Sequence, residues 1–270
     1  MRRGAWSRGR PPLRKSPTAL LALSGLFAFT VPEAGAQFSV TPTILSVEPS
    51  DTEVGSLVRV RNEGSRPLSM RVFARDFDQD SLGSHVLATP GTHANGCGDR
   101  ISLVPAAFEL PAGEDQLVSI RLRPDGGEDS TCWSIIFVES PPPPDQTGIR
   151  VGARIGVKLF GLGRGGTREA VIEDAGVEAV GEERVVRLKL ANRGSWPLLA
   201  RGTVEIVDLD GVRTGEARIE RTTILPSHAR LIEVPLDVTL EPGRYVAVSL
   251  IELGDDELIG AQVAFRVEGG

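Results

Sequence analysis

Most of the chain alternates apolar and polar residues in short runs that are separated by Gly, Pro, Asn or Asp. A period of two is typical of β-strands with one buried face, and no segment has the longer apolar period of a three-turn helix. The pattern predicts seven short strands between residues 38 and 160 and seven more between residues 170 and 267. This succession is typical of immunoglobulin-like sandwiches. We therefore predict an all-β protein with two immunoglobulin-like β-sandwich domains in tandem.

One motif occurs in both halves of the chain. An alternating strand is followed by Asn-x-Gly-Ser-x-Pro-Leu, which starts at Asn62 in the first half and at Asn192 in the second. Asn and Gly tolerate left-handed backbone and Pro has no N–H to donate, so each motif is expected to connect the second and third strands of its sandwich. The first half carries extra residues, which we place in a Gly-, His- and Thr-rich loop between Leu82 and Arg100.

The first 36 residues have the composition of an export signal. Six basic residues precede an apolar run from Ala19 to Val31, and small residues around Ala36 suit a signal peptidase. The run has 13 residues, too few to cross a hydrocarbon layer of about 30 Å. We predict a signal peptide over residues 1–36, a periplasmic location and no membrane span in the mature protein.

The mature chain is predicted to be acidic. Without residues 1–36 it has 24 basic and 35 acidic residues, a net charge of −11. Nucleic acid is therefore not expected as a partner, because affinity for phosphate backbones requires a basic surface. The remaining length suits two domains, which we place at residues 37–162 and 163–270 around the Gly-rich segment 161–167.

The cysteines and the single tyrosine are assigned structural roles. Cys97 and Cys132 are the only cysteines and lie in one domain of a chain predicted to be exported, so we expect a disulfide that ties the inserted loop to a late strand. Two separate thiols are the alternative. Tyr245 follows a Pro-Gly turn at the start of a late strand, which is the position of a tyrosine corner.

The sequence contains no recognisable catalytic, metal or cofactor site. His85, His93 and His228 lack the spacing of metal ligands and are expected at the surface. No Ser, His and acidic residues group around a nucleophile, and the Gly-rich segment 161–166 lacks the Lys-Ser/Thr and the helix of a phosphate-binding loop. We predict that the protein is not an enzyme and uses no cofactor.

The segment from Ile149 to Phe160 alternates without interruption over 12 residues, about twice the usual strand length. A Pro-rich stretch at residues 141–148 precedes it, which indicates an edge strand that follows a loop. A long edge with an apolar face causes aggregation unless charges guard it or a partner covers it. Arg150, Arg154 and Lys158 fit a guarded edge, whereas the length of the strand favours a partner.

Four segments of the first domain carry a family resemblance. They are the turn motif at Asn62, residues 103–113 before the strand at 117–121, the strand at 133–141, and Ile155-Gly-Val-Lys-Leu-Phe160. Together they resemble the periplasmic pilus chaperones of the chaperone-usher pathway, over most of residues 38–160. The second domain is similar to these chaperones only in general shape.

The resemblance implies a chaperone that caps strand-deficient pilus or coat subunits by lending its long strand, and that delivers them to an outer-membrane usher in pilus assembly and cell wall organization. Lys158 would hold the subunit's C-terminal carboxylate, and the residues that would fill the subunit's groove are Ile149, Val151, Ala153, Ile155 and Val157. In the family a basic residue on the first strand assists that Lys, and the matching residue here is Ile44. The alternative interpretation is a structural or adhesive surface protein with tandem spacer domains.

Overall fold

The computed structural model describes residues 37–48, 54–123, 130–142, 152–181, 183–254 and 257–268. These residues form β-strands and one turn of 3-10 helix at Gly98–Arg100, which confirms the all-β prediction. The strands of the first half are β1 (Phe38–Thr41), β2 (Ile44–Val47), β3 (Val54–Asn62), β4 (Leu68–Gln79), β5 (His85–Ala88), β6 (Ile101–Val104), β7 (Ala107–Leu110), β8 (Asp115–Leu122), β9 (Cys132–Ser140) and β10 (Ala153–Gly161). Those of the second half are β11 (Ala170–Val180), β12 (Glu183–Asn192), β13 (Leu198–Asp208), β14 (Arg213–Ile224), β15 (Ala229–Leu236), β16 (Gly243–Glu252) and β17 (Leu258–Val267).

The first sandwich consists of two sheets with the immunoglobulin-like division of strands. One sheet has the order β1-β3-β8-β6, and the other has the order β2-β10-β9-β4-β5, with β7 also paired to β4. The predicted single first strand is divided at Pro42, so that β1 pairs with β3 in one sheet and β2 pairs with β10 in the other. Pro42 has no N–H to give to a ladder, and the chain changes sheets at this residue.

The second sandwich has the seven strands that the sequence predicts. Its sheets have the orders β11-β12-β15 and β14-β13-β16-β17. The hydroxyl of Tyr245 donates to the carbonyl oxygen of Glu241 at 2.9 Å, which confirms the tyrosine corner. No helix in the described part of the chain is long and apolar enough to pass through a bilayer.

The two Asn-x-Gly-Ser-x-Pro motifs are structural equivalents, as predicted. Asn62 ends β3, and its Nδ2 group donates to the carbonyl oxygens of Arg66 at 2.8 Å and Leu110 at 2.9 Å. Asn192 ends β12 and donates in the same way to the carbonyl oxygens of Trp196 and Ile224. Each Asn Oδ1 also accepts the N–H of the Gly two residues later. Both side chains are buried, so each asparagine closes a turn that water does not reach.

The inserted loop between Leu82 and Arg100 is anchored on the first sandwich. It contains β5 and the 3-10 turn, and Cys97 in the loop forms a disulfide with Cys132 on β9, as predicted. The buried carboxylate of Asp76 on β4 accepts the N–H groups of Gly91 at 2.7 Å and Gly98 at 2.8 Å. Covalent and charge-assisted bonds therefore hold the second half of this loop against β4 and β9.

We predict that Asn62→Asp and Asn192→Asp each lower the free energy of unfolding by about 2–4 kcal/mol, because a carboxylate then faces two buried carbonyl oxygens that have lost their donor. Urea denaturation measures the change. Asn95→Asp, at an exposed position of the inserted loop, is the matched control and should change stability little. Equal effects at all three positions would show that the turns do not depend on the amide donor.

We also predict that the disulfide stabilises the first sandwich by roughly 3–4 kcal/mol, given the chain-entropy cost of the loop it closes. The two cysteines are 35 positions apart, and both are buried. Mass spectrometry of the non-reduced protein should find no free thiol, and the double variant Cys97→Ala/Cys132→Ala should unfold at lower urea concentration. Two free thiols in the purified protein would contradict the prediction.

Candidate functional site

Strand β10 is paired along its whole length on one side but only partly on the other. It pairs antiparallel with β9 from Ala153 to Gly161. On its other side β2 pairs with it in parallel, and only from Lys158 to Gly161. Among the described residues no strand covers this second side between Ala153 and Val157. The strand is therefore an edge strand over its first five described residues only.

The backbone groups on the uncovered side are identified by the regular geometry of the strand. The N–H of Lys158 donates to the carbonyl oxygen of Thr43 at 2.9 Å, so the backbone of Lys158 faces β2. Every second residue of a strand directs its backbone groups to the same side, and the register with β9 is continuous. The N–H and C=O of Gly156 and Arg154 therefore point to the uncovered side.

The predicted groove-filling residues do not all have free side chains. Val157 is completely buried in the core of its own sandwich, so its side chain is already occupied and is not available to fill another protein's groove. Ala153 and Ile155 share its face but are only partly buried at the rim of that core. Ile149 and Val151 lie outside the described residues. Within the described strand, Ala153 and Ile155 are therefore the predicted groove-filling residues whose side chains are only partly buried.

The guanidinium of Arg154 is bound to its own sheet. Its Cζ lies 5.4 Å from the ring centroid of Phe73 and 5.1 Å from that of Phe137, and its Nη2 lies 3.3 Å from Glu139. Next to it, a Cβ at position 156 would come within 3.0 Å of the Ile135 side chain, so Gly156 provides space for this packing. The side chain of Arg154 consequently packs across the sheet.

Lys158 is the functional candidate whose surroundings depart most from expectation. It lies on the part of β10 that β2 covers, and its Nζ donates to the hydroxyl oxygen of Thr223 on β14 at 3.3 Å. The expectation that Lys158 lies on an open edge is therefore wrong, because β2 pairs with β10 at this residue. The second sandwich in addition contacts its side chain through Thr223. Burial, together with the positive charge of Arg230, lowers the pKa of Lys158 to about 8.

Arg230 on β15 is a member of this site that the sequence did not reveal. Its Nη1 donates to the carbonyl oxygen of Thr223 at 3.4 Å, so Lys158 and Arg230 contact the same residue. Burial lowers the pKa of Arg230, and the negative charge of Asp80 opposes this effect. Lys158 and Arg230 belong to different domains, and no local motif connects them.

The position that the family resemblance matches to a second basic residue lies beside Lys158 in the structure. Ile44 is directly opposite Lys158 in the parallel pairing of β2 and β10. Its side chain packs against an apolar cluster that includes Phe160 and Leu225. Position 44 therefore contributes to the apolar contact between the sandwiches and supplies no charge beside Lys158.

Apolar and polar contacts hold the two sandwiches together around this site. Phe160 and Leu162 of the first sandwich share a buried cluster with Leu225 of the second. The expectation of a purely surface role is wrong for His228, because its Nε2 lies 2.7 Å from Asp78 of the first sandwich. Burial opposes the shift, but the Gln79 N–H and the His228 ring hold the pKa of Asp78 below its usual value.

The described residues contain no group of three His, Cys, Asp or Glu side chains arranged to hold a metal ion. Around Thr223, cations from both sandwiches converge, since Lys158 contacts its hydroxyl group and Arg230 contacts its carbonyl group. Such a set can bind an anion through charge and hydrogen bonds.

No protein-family model and no curated protein matches this chain. Solved structures similar to it include the E. coli chaperone DraB, with 16% sequence identity and a TM-score of 0.47 over 84% of this chain and 98% of that chain. The Pseudomonas aeruginosa CupB2 chaperone has 14% identity and a TM-score of 0.46, over 86% and 100% of the two chains. The CsuC-CsuE chaperone-tip adhesion subunit complex of Acinetobacter baumannii has 14% identity and a TM-score of 0.47, over 83% and 98%. Similarity at this level concerns the fold alone, and no functional assignment rests on it.

We predict that Lys158→Met stabilises the free protein at pH 7. The fall in pKa from 10.5 to about 8 corresponds to roughly 3 kcal/mol of unfavourable free energy for the charged form, and we expect about 2 kcal/mol because the side chain keeps some solvent contact. The folded pKa is below the unfolded one, so the penalty is complete below pH 8 and disappears above pH 10.5.

Urea denaturation at pH 7 and at pH 10.5 measures this difference. Lys189→Met is the matched control, since Lys189 is exposed and paired with Glu173 at 2.9 Å. A Lys158→Met variant that is no more stable than the parent at pH 7 would show that the charged form of Lys158 does not lower the free energy of unfolding.

Proposed function

We propose that this protein is a periplasmic chaperone that binds exported, strand-deficient pilus or coat subunits and delivers them to an outer-membrane usher. In this proposal the uncovered side of β10 pairs with a strand of the client subunit, which is recognition by β-augmentation. The observation that carries the proposal is an open strand edge that leads directly to the partly buried cation of Lys158.

Within the part of the chain that the structure describes, the edge of β10 between Ala153 and Val157 is open rather than guarded. Proteins commonly protect edge strands with charged side chains, bulges or Pro. The only charged side chain between Ala153 and Val157 is Arg154, and it packs on Phe73 and Phe137 of its own sheet. The register with β9 has no bulge in this stretch. The outward N–H and C=O groups of Arg154 and Gly156 are therefore accessible to another strand.

The apolar face of this edge supports the same function. Ala153 and Ile155 are only partly buried, and they continue the row that Val157 and Leu159 begin in the core. A client strand beside β10 would extend this core sideways and cover both residues. Removal of apolar surface from water then stabilises the complex in addition to the backbone hydrogen bonds.

Lys158 supplies an end point for the client chain. β2 occupies the side of β10 from Lys158 onward, so a strand that lies along residues 153–157 stops there. A chain that ends at Lys158 with its C-terminal carboxylate must run parallel to β10. The carboxylate would neutralise a cation that is otherwise partly buried and would thereby fix the register of the client strand.

We predict that Arg154→Pro reduces client binding about tenfold or more, because it removes an outward N–H while the ladder with β9 remains. The measurement is co-elution with a purified pilus subunit that lacks its complementing strand and is refolded from urea in the presence of the protein. Circular dichroism and urea denaturation establish that the variant is folded.

Arg154→Ala separates the backbone from the side chain. It removes the same guanidinium but retains the N–H, and it should retain most of the client binding. If both variants bind the subunit as the parent does, β10 is not the binding edge. That result would favour the alternative in which the sandwiches are spacers of a structural or adhesive protein.

A further inference from the structure

Two cations from different sandwiches meet at Thr223. The Nζ of Lys158 donates to its hydroxyl oxygen at 3.3 Å, and the Nη1 of Arg230 donates to its carbonyl oxygen at 3.4 Å. Thr223 itself is buried, at 3% exposure. The first sandwich thus contributes an ammonium group and the second sandwich contributes a guanidinium group to one small region.

The charge of this region is not balanced by the described residues. None of their carboxylates lies within ion-pair or hydrogen-bond distance of Lys158 or Arg230, and the carboxylate that influences Arg230 is Asp80. Burial lowers the pKa of the neighbouring His85, and the positive charges of Lys158 and Arg230 lower it further, while Asp80 opposes the shift. Like charges that are partly removed from water repel each other, so this arrangement is unfavourable until an anion binds.

The position of Arg230 is fixed by the backbone around it. Its guanidinium lies against Gly83, where φ is +85° and where a Cβ would come within 2.1 Å of the Arg230 Cζ. The N–H of the next residue, Leu231, donates to the carbonyl oxygen of Ser81 at 2.8 Å. The loop between β4 and β5 therefore has a glycine, Gly83, at the point where the Arg230 side chain of the second sandwich lies against the loop.

We infer that Lys158 and Arg230 together form a carboxylate-binding site that is built from both sandwiches, with Arg230 as its second cation. A guanidinium presents two parallel N–H donors that match the two oxygens of a carboxylate, and an ammonium adds a donor from another direction. The identification of the natural ligand as the C-terminal carboxylate of a client subunit rests on the proposed function. The binding of a simple carboxylate does not.

The lysine content of the chain allows a direct test with sodium acetate as the probe. The sequence has three lysines, Lys15, Lys158 and Lys189, so reductive methylation with 13C-formaldehyde gives few signals in a 13C NMR spectrum. Lys158→Arg and Lys189→Arg assign them. The Lys158 signal is followed between pH 6 and 11 in acetate and in chloride at equal ionic strength, in the parent, Arg230→Gln and Arg230→Lys.

In the parent we expect acetate to raise the pKa of Lys158 in a saturable manner, while chloride does not. Arg230→Gln should raise this pKa without any anion, because a repelling charge is lost, and should weaken acetate binding about tenfold. Arg230→Lys should bind acetate with intermediate affinity, since it keeps the positive charge but loses the two parallel N–H donors of the guanidinium. Arg218→Gln, at an exposed position of the second sandwich, should behave as the parent does.

Two results would overturn the inference. One is a Lys158 pKa in the parent that does not respond to acetate. The other is an equal response in the parent and in Arg230→Gln, which would assign the binding to Lys158 alone. The acetate titration contains no pilus subunit, so a negative result does not test whether the β10 edge binds one. The Arg154→Pro experiment tests that separately. Conversely, acetate binding without subunit binding would retain the site and reject the chaperone.

Discussion

Among the described residues, β10 has a pairing strand on both sides only from Lys158 onward, and the candidate site is built around this incomplete pairing. β2 covers the side of β10 only from Lys158 onward, because the chain belongs to the other sheet as β1 before Pro42 and enters this sheet only at β2. If the first strand continued backwards in the same register, Thr43 and Pro42 would lie opposite Val157 and Gly156. The open edge is therefore produced by the course of the first strand as well as by β10 itself.

Burial disfavours the charged forms of the two cations beside this edge, Lys158 and Arg230. Burial of Lys158 next to Arg230 places two positive charges where the described residues offer no paired carboxylate. Residues whose interactions lower folding stability are expected at functional sites, where a ligand supplies the missing interaction. A ligand carboxylate would remove this conflict and would contact both sandwiches at once.

The geometry of the site depends on contacts between the sandwiches. The apolar cluster around Phe160 and Leu225 brings β10 close to the second sandwich. The contact of His228 with Asp78 adds a polar restraint on the same side, and the Trp196 Nε1 group donates to the carbonyl oxygen of Gly163 in the connecting segment at 2.8 Å. These contacts hold the two sandwiches together where Lys158 and Arg230 both contact Thr223.

The features that depend on local pattern could be predicted from the amino-acid sequence. Alternation with a period of two specifies strands, and the Asn motif specifies a turn because one amide satisfies the backbone groups around it, as Asn62 and Asn192 both show. Tertiary structure alone decided that Val157 is buried in its own core and that Arg230 lies beside Lys158. Sheet register and domain packing bring together residues that are far apart in the chain, and the alternating pattern does not encode which distant residue will meet which.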